Sequence, residues 1–112
     1  MIQYDPQRRT ITLHTRSTSY QMKIDATGVL LHTYYGEKLR KGDLSRLICP
    51  EDRGFSPNPD EVGMDRTWSL DTQPQEYSSS GVGDFRQPAL EADLADGSHI
   101  VDLRYINHTV AE

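Results

Sequence analysis

The chain has 112 residues, of which 35% are hydrophobic and 26% charged, and its formal net charge is −5. This length fits one domain or part of a larger one, and the apolar fraction is low for a self-sufficient core. We therefore expect a partial core, completed by residues outside these 112 or by another subunit. The acidic balance argues against a nucleic-acid-binding surface, because phosphate recognition needs clustered Lys and Arg side chains.

The sequence also bears on compartment, membrane association and cofactors. A single cysteine, Cys49, excludes an internal disulfide framework and is typical of a reducing compartment. Residues 1–6 lack the basic and apolar regions of a signal peptide, and no apolar run approaches the roughly 18–20 residues that span a bilayer. The four histidines have no metal-ligand spacing. We expect a cytoplasmic protein with no membrane partner, no nucleic-acid partner, no metal and no cofactor.

The first third of the chain alternates apolar and polar residues with the two-residue period of β-strands. In the third predicted strand, Tyr20, Met22 and Ile24 share one face, and Ser19 and Gln21 lie on the other. The fourth is more continuously apolar, as expected of a strand covered on both sides. The predicted strands are Ile2–Tyr4, Thr10–Thr15, Ser19–Ile24 and Val29–Tyr35.

Beyond the fourth strand the pattern is more interrupted, and no helical period is long enough for a substantial helix. Asp43–Ile48 fits either one helical turn or a short strand, and Cys49–Asp65 is a long loop of the kind that is often functional. A hairpin is predicted from Leu90–Leu94 and Ile100–Val110, with Asp96-Gly97 as its turn. Thr67–Leu70 is a further predicted strand, and Tyr77–Asp84 is irregular. These elements predict an all-β, antiparallel β-sandwich.

The long loop and the segment after it carry the best candidates for ligand contact. Pro57 and Pro59 restrict the backbone, so the loop should be stiff. The carboxylate of Asp52 can accept sugar hydroxyls, and the guanidinium of Arg66 offers a planar fork of donors. Alternatively, these two residues pair with each other, or with Arg53 and Asp65, and brace the loop. From the residues alone, bracing is the simpler interpretation.

Seven sequence blocks, in order and at compatible spacings, resemble the start of the bacterial α-galactosidases of glycoside hydrolase family 36. They extend from Thr18 to Tyr105, and seven such blocks in 112 residues make the resemblance highly specific. The blocks are Thr18-Ser19-Tyr20-Gln21-Met22, Leu31-His32-Thr33-Tyr34-Tyr35-Gly36, Asp52-Arg53-Gly54-Phe55-Ser56-Pro57-Asn58-Pro59, Asp65-Arg66-Thr67-Trp68-Ser69-Leu70-Asp71-Thr72, Gln75-Glu76-Tyr77, Gly83-Asp84-Phe85-Arg86 and Asp102-Leu103-Arg104-Tyr105.

This resemblance implies a larger enzyme. Members of the family place a (β/α)₈ catalytic barrel after the N-terminal sandwich, and a small β domain at the C-terminus. Their two catalytic aspartates, of a retaining mechanism, lie in the barrel. Residues 1–112 would then be a partial N-terminal β-sandwich domain without barrel or C-terminal domain. No residue here is assigned a catalytic role, and we expect the chain alone to be inactive.

The resemblance also implies a role for the loop. In tetrameric members, residues at the positions of Asp52 and Arg66 reach into a neighbouring subunit's active site and help to bind the sugar. Phe55 and Trp68 could add an apolar platform for a pyranose ring, although core packing is the favoured interpretation for Trp68. Asn58 is a further candidate. Residues 60–64 contain one residue more than the family's shorter form.

These implications define the expected function and its rivals. We expect a homo-oligomer, a tetramer in the intact enzyme, that acts on terminal α-1,6-galactosides of the melibiose and raffinose type. The galactoside would meet this chain through the neighbouring subunit. A freestanding carbohydrate-binding or interaction module is the alternative, and a structural remnant that folds only as an oligomer is a third possibility.

Overall fold

The computed structural model describes residues 1–40, 42–52 and 58–111. The first third of the chain forms one antiparallel sheet whose strand order is β1-β2-β3-β4. Its strands are β1 (Ile2–Asp5), β2 (Thr10–His14), β3 (Thr18–Ile24) and β4 (Leu30–Glu37). This meander confirms the predicted all-β fold class and fits a β-sandwich N-terminal domain. The four strand predictions are confirmed to within two residues at their ends.

Aspartates fix two of the turns between these strands. The Asp5 carboxylate accepts hydrogen bonds from the backbone N–H groups of Gln7 at 2.9 Å and Arg8 at 3.1 Å. At the turn from β3 to β4, Asp25 Oδ1 accepts the backbone N–H of Val29 at 2.9 Å, and Gly28 takes a φ of 85°. A side chain that replaces backbone partners in this way is the usual reason for aspartate in turns.

One face of the sheet is apolar and only half covered. The register places Ile2 opposite Leu13, Leu13 opposite Tyr20, and Tyr20 opposite Tyr35, so these four side chains share a face. Ile2 is 41% exposed and Tyr35 67% exposed. Such a face fits one layer of a sandwich whose second layer would cover it.

The opposite face buries a polar network centred on Gln21, which is 1% exposed. Gln21 Nε2 donates to Thr12 Oγ1 at 3.0 Å and to the Gly42 carbonyl at 2.8 Å. Gln21 Oε1 accepts from Thr33 Oγ1 at 3.2 Å and from the backbone N–H of Leu44 at 2.9 Å. A shift in the register between Gln21 and Met22 accompanies this network. The side-chain amide therefore ties the segment after β4 to the sheet.

The apolar core lies beside β4, where later segments pack against the sheet. Leu31 pairs with Gln75 in an isolated antiparallel bridge, which fixes one of these segments to the strand. The buried cluster consists of Val29, Leu31 and Leu70, with Ile48, Trp68 and Val82 packed against it. Because Ile48 and Trp68 both join this cluster, the two ends of the long loop are anchored at the same place.

Two sequence predictions concern the middle of the chain. Asp43–Ile48 contains a single 3₁₀ turn, Ser45–Leu47, which decides between the two open alternatives. The predicted strand Thr67–Leu70 is wrong. Asp65 Oδ1 accepts both the backbone N–H of Thr67 at 2.9 Å and its hydroxyl at 2.6 Å. The backbone carbonyl of Ser69 then accepts turn bonds from residues 72 and 73. These local turns replace the strand ladder.

The predicted hairpin is also wrong in its strands, although its turn exists. The backbone N–H of Leu94 donates to the Ser98 carbonyl at 2.9 Å, which closes a turn around Asp96-Gly97. Leu90 instead forms an isolated parallel bridge with Ser79, and the N–H of Val101 donates to the Ser80 carbonyl at 3.1 Å. The serine-rich segment thus takes hydrogen bonds that a hairpin would have used internally.

Within the described ranges, no helix has the length and apolar character needed to cross a lipid bilayer.

Candidate functional site

The structure brings together the two main candidates for ligand contact. Arg66 Nη2 lies 3.1 Å and Nε 3.2 Å from the same oxygen, Oδ1 of Asp52. The Arg66 side chain is 62% exposed and that of Asp52 53% exposed. An ion pair at this level of exposure contributes only about 0.2–1 kcal/mol. The pair can therefore exchange its mutual contact for contact with a ligand at small cost.

Asn58, the third candidate, braces the loop. Its Nδ2 donates to the backbone carbonyl of Asp65 at 2.7 Å, which closes the stretch between them into a compact turn. Inside that turn lies the 3₁₀ helix Asp60–Val62, followed by Gly63 with a φ of 58°. The described part of the long loop predicted for Cys49–Asp65 thus contains a short helical turn. Residues 60–64 fold locally within it.

Asn58 also lines a cavity to which the Asp52–Arg66 pair does not contribute. The cavity has a volume of about 230 Å³ and is lined by Asn58 with Leu70, Val82, Asp102, Arg104 and Pro59. Phe55, the fourth candidate, lies outside the described residues, as do Arg53 and Pro57. The structure therefore unites two of the four candidates and gives the third a separate contact.

The carboxylate of Asp65 is engaged within its own turn, where it accepts hydrogen bonds from Thr67. Hydrogen bonds from the side chain and backbone of Thr67 hold the pKa of the Asp65 carboxyl below its usual value. Of the pairings that would brace the loop, the one between Asp52 and Arg66 is present among the described residues. Residues on either side of Arg66 are thus held by backbone and turn contacts, while its guanidinium extends to the surface.

Trp68 is partly buried against the core, where the sequence pattern around it placed it, but it also makes a polar contact that the sequence did not predict. Its ring packs against the buried cluster, and its Nε1 donates to Asp25 Oδ2 at 2.9 Å. Asp25 and Trp68 are 43 residues apart. The turn sequence Asp25–Gly28 signalled an aspartate whose carboxylate caps a turn, but nothing in it signalled the indole as a second partner.

A second polar cluster lies on the apolar face of the sheet. The Tyr20 hydroxyl donates to Glu76 Oε1, and His32 Nδ1 lies 3.4 Å from Glu76 Oε2. Burial and the neighbouring Glu76 carboxylate raise the pKa of Tyr20 to about 12. The cluster joins β3 and β4 to the segment around Glu76 and has a structural role.

Chemically, the Asp52–Arg66 pair offers groups that can bind a polar ligand. A carboxylate beside a guanidinium presents acceptors and a planar set of donors to a ligand rich in hydroxyl groups. Across the part of the chain that the structure describes, no group of three or more His, Cys, Asp or Glu side chains could hold a metal ion.

The chain belongs to the family of glycosyl hydrolase family 36 N-terminal domains, whose family model matches residues 28–112. This confirms the resemblance found in the sequence. The bifunctional alpha-galactosidase/sucrose kinase AgaSK of Mediterraneibacter gnavus is 46% identical over 107 residues, covering 96% of this chain and 11% of that protein. Alpha-galactosidase AgaA of Geobacillus stearothermophilus is 42% identical over 109 residues, covering 97% of this chain and 15% of that protein.

Solved structures show the same similarity. The galactosidase domain of AgaSK superposes with a TM-score of 0.90 at 47% identity, covering 96% of this chain and 15% of that one. The α-galactosidase AgaB of Geobacillus stearothermophilus gives a TM-score of 0.80 at 45% identity, covering 96% and 14%. A variant of AgaA from the same organism, solved in complex with raffinose, gives 0.77 at 43% identity, covering 88% and 13%. This chain thus spans 11% to 15% of the curated relatives that it matches.

Proposed function

We propose that residues 1–112 are the non-catalytic, N-terminal β-sandwich segment of a cytoplasmic α-galactosidase that hydrolyses terminal α-1,6-galactosides such as melibiose and raffinose. The catalytic aspartates would lie in a barrel domain outside these residues. The segment would contribute to assembly of a homo-oligomer, a tetramer in the intact enzyme. In that assembly Asp52 and Arg66 would complete the active site of a neighbouring subunit and contact the galactoside.

The observation that carries this proposal is the exposed Asp52–Arg66 pair. The loop that bears it is anchored in the core through Ile48 and Trp68, while the paired side chains extend into solvent. A rigid base with exposed polar ends suits contact across a subunit interface, because the groups are positioned before the partner arrives. Pairing in the isolated chain and sugar binding in an assembly are compatible, since the exposed pair contributes little to folding.

Substitution in the intact protein, meaning the complete gene product that contains these residues, tests the proposal. Asp52→Ala and Arg66→Ala each remove a charged hydrogen-bonding group, whose loss costs about 1.5–3 kcal/mol. We expect KM for raffinose to rise by about tenfold or more, with kcat within about threefold, because the catalytic groups remain in place. Steady-state kinetics and light scattering measure both the effect and the oligomer.

The matched control is Asp93→Ala. Asp93 is an exposed acid that also pairs with a basic side chain, since its Oδ1 lies 2.7 Å from His99 Nδ1. This variant should keep the wild-type KM. If Asp52→Ala and Arg66→Ala also kept wild-type kinetics and the same oligomer, contact with a neighbour's substrate would be refuted.

The 112-residue chain alone separates this proposal from a freestanding carbohydrate-binding module. A segment that lends residues to another subunit's pocket should not hydrolyse a chromogenic α-galactoside. It should also give little or no heat with galactose or raffinose in calorimetry. Measurable affinity without a partner chain would support the module, and measurable hydrolysis would overturn the non-catalytic assignment.

A further inference from the structure

The position of Arg66 depends on the residues that flank it, and one of these is fixed by a contact with a distant turn. On its N-terminal side, Asp65 is held by Thr67 and by Asn58. On its C-terminal side, Trp68 packs in the core and donates its indole N–H to Asp25 Oδ2 at 2.9 Å. Arg66 is only two residues from Trp68. A change in the tilt of the indole would therefore move Arg66.

Asp25 is a rigid acceptor for the indole. Its residue is 9% exposed, and its Oδ1 accepts the backbone N–H and hydroxyl of Thr27 at 2.9 and 2.8 Å and the N–H of Val29 at 2.9 Å. These three bonds orient the carboxylate within the turn between β3 and β4 and leave Oδ2 directed at Trp68. Burying a carboxylate is costly unless its hydrogen bonds are made. In Asp25 both carboxylate oxygens accept hydrogen bonds.

Residues 65–68, the segment that carries Arg66, are not closely packed against the sheet along their whole length. A cavity of about 250 Å³ lies there, and its lining includes Lys23 and Asp25 from β3 and the turn after it, and Asp65 and Thr67 from the segment that carries Arg66. Where such a gap separates two segments, dispersion contacts across it are lost. A directional hydrogen bond beside the gap then has a large share in setting the separation.

We propose that Trp68 and Asp25 are positioning residues, which hold Arg66 and its partner Asp52 at the place where they meet the galactoside. This inference rests on the proposed function and adds two residues to it. Neither acts on the sugar directly. Their hydrogen bond connects the β3–β4 turn to the segment that carries Arg66.

Trp68→Phe tests the inference in the intact protein, because it removes the indole N–H and keeps an aromatic ring in the core. Loss of one buried hydrogen bond should speed amide hydrogen exchange of residues 58–67 by about fivefold to tenfold. It should also raise KM for raffinose by about threefold to tenfold while kcat stays within about twofold. Tyr34→Phe is the matched control, since it removes a hydroxyl that donates to the Glu37 carbonyl at 2.9 Å, and it should change neither quantity.

Arg66→Ala, measured in parallel, separates this inference from the proposed function. If exchange over 58–67 is unchanged in Trp68→Phe, the anchoring is refuted. If exchange rises and KM does not, while Arg66→Ala raises KM, the positioning role is refuted and the proposed function stands. If Arg66→Ala itself leaves KM unchanged, the proposed function fails and the inference with it.

Discussion

The carboxylate of Asp84 holds the guanidinium of Arg86 through hydrogen bonds from Nε to Oδ1 at 2.8 Å and from Nη2 to Oδ2 at 2.7 Å. The Asp84 side chain is 2% exposed. Arg86 Nη2 also donates to the backbone carbonyls of Leu70 at 2.8 Å and Gln73 at 2.7 Å. The two residues therefore fasten the segment that follows Trp68, which is the C-terminal support of the candidate site.

Removing Arg86 should destabilise the fold. Arg86→Met leaves the buried Asp84 carboxylate without its cation. Because the Arg86 side chain is 48% exposed, we expect a cost of about 1.5–3 kcal/mol, that of a hydrogen bond to a charged group. The free energy of unfolding from urea denaturation measures this. Arg8→Met is the control, because Arg8 pairs with Asp5 on the surface at 3.2 Å and its loss should cost less than about 1 kcal/mol. Equal effects of the two variants would contradict the role given to Asp84 and Arg86.

The same pair predicts a pH dependence of stability. Burial raises the pKa of Asp84, but hydrogen bonds from Arg86 outweigh burial, so the pKa lies below its ordinary value of 3.8. A carboxyl with a depressed folded-state pKa stabilises the fold above its unfolded-state pKa and loses that contribution as the pH falls through the folded-state pKa. We expect the free energy of unfolding to decrease from about pH 4 downwards.

Asp84→Asn checks the source of that dependence. The variant should be less stable at pH 7 and should lose less further stability between about pH 4 and pH 2, because residue 84 no longer titrates. Urea denaturation at a series of pH values provides the comparison. Parallel curves for the variant and the wild type would assign the acid sensitivity to other carboxyls.

Gln21 should be more important for stability than an uncharged polar residue usually is. Gln21→Leu leaves the Gly42 carbonyl, the Leu44 N–H and the Thr12 hydroxyl without the side-chain amide, and each unsatisfied buried group costs about 1–3 kcal/mol. The Thr33 hydroxyl keeps its bond to the backbone carbonyl of residue 21 at 2.9 Å. We expect a loss of at least about 2 kcal/mol in chemical denaturation. Gln7→Leu, at an exposed turn position, should change stability by less than about 0.5 kcal/mol. A neutral Gln21→Leu would contradict the network.

The half-covered apolar face predicts the behaviour of the isolated 112-residue chain. Exposed Ile2, Tyr4 and Tyr35 form part of a sheet surface that favours association or dye binding. We expect the fluorescence of 8-anilinonaphthalene-1-sulfonate to increase on mixing and the mass from light scattering to rise with concentration. Tyr35→Lys should weaken both effects. A strictly monomeric chain that does not bind the dye would show that this face needs no cover.

The sequence predicted those parts of the fold that local periodicity determines. The four strands of the sheet alternate regularly, and short turns, two of them fixed by an aspartate, join successive pairs, so their existence and order follow from neighbouring residues. The strand predicted at Thr67–Leu70 failed because the Asp65 carboxylate captures the Thr67 N–H, a turn contact that outweighs β propensity. The predicted hairpin failed because its residues pair with Ser79 and Ser80, well before them in the chain.

In the candidate site, too, some features were predictable from the sequence and others were not. The family resemblance selected Asp52 and Arg66, and the structure places them in contact. Residue chemistry could not show that Asn58 closes a turn on the Asp65 carbonyl. Every residue has a backbone carbonyl, so the sequence does not indicate which one accepts the bond. Nor could it show the bond between Asp25 and Trp68, whose partners meet only when the loop folds back on the sheet.

Trp68 has one more consequence, for spectroscopy. It is the chain's single tryptophan, and it lies two residues from Arg66 with its indole bound to a buried carboxylate. Its emission therefore comes from one known place, next to the candidate site. A shift in wavelength or intensity on adding a sugar or a partner subunit would report on that loop without any label, so the chain carries its own optical probe.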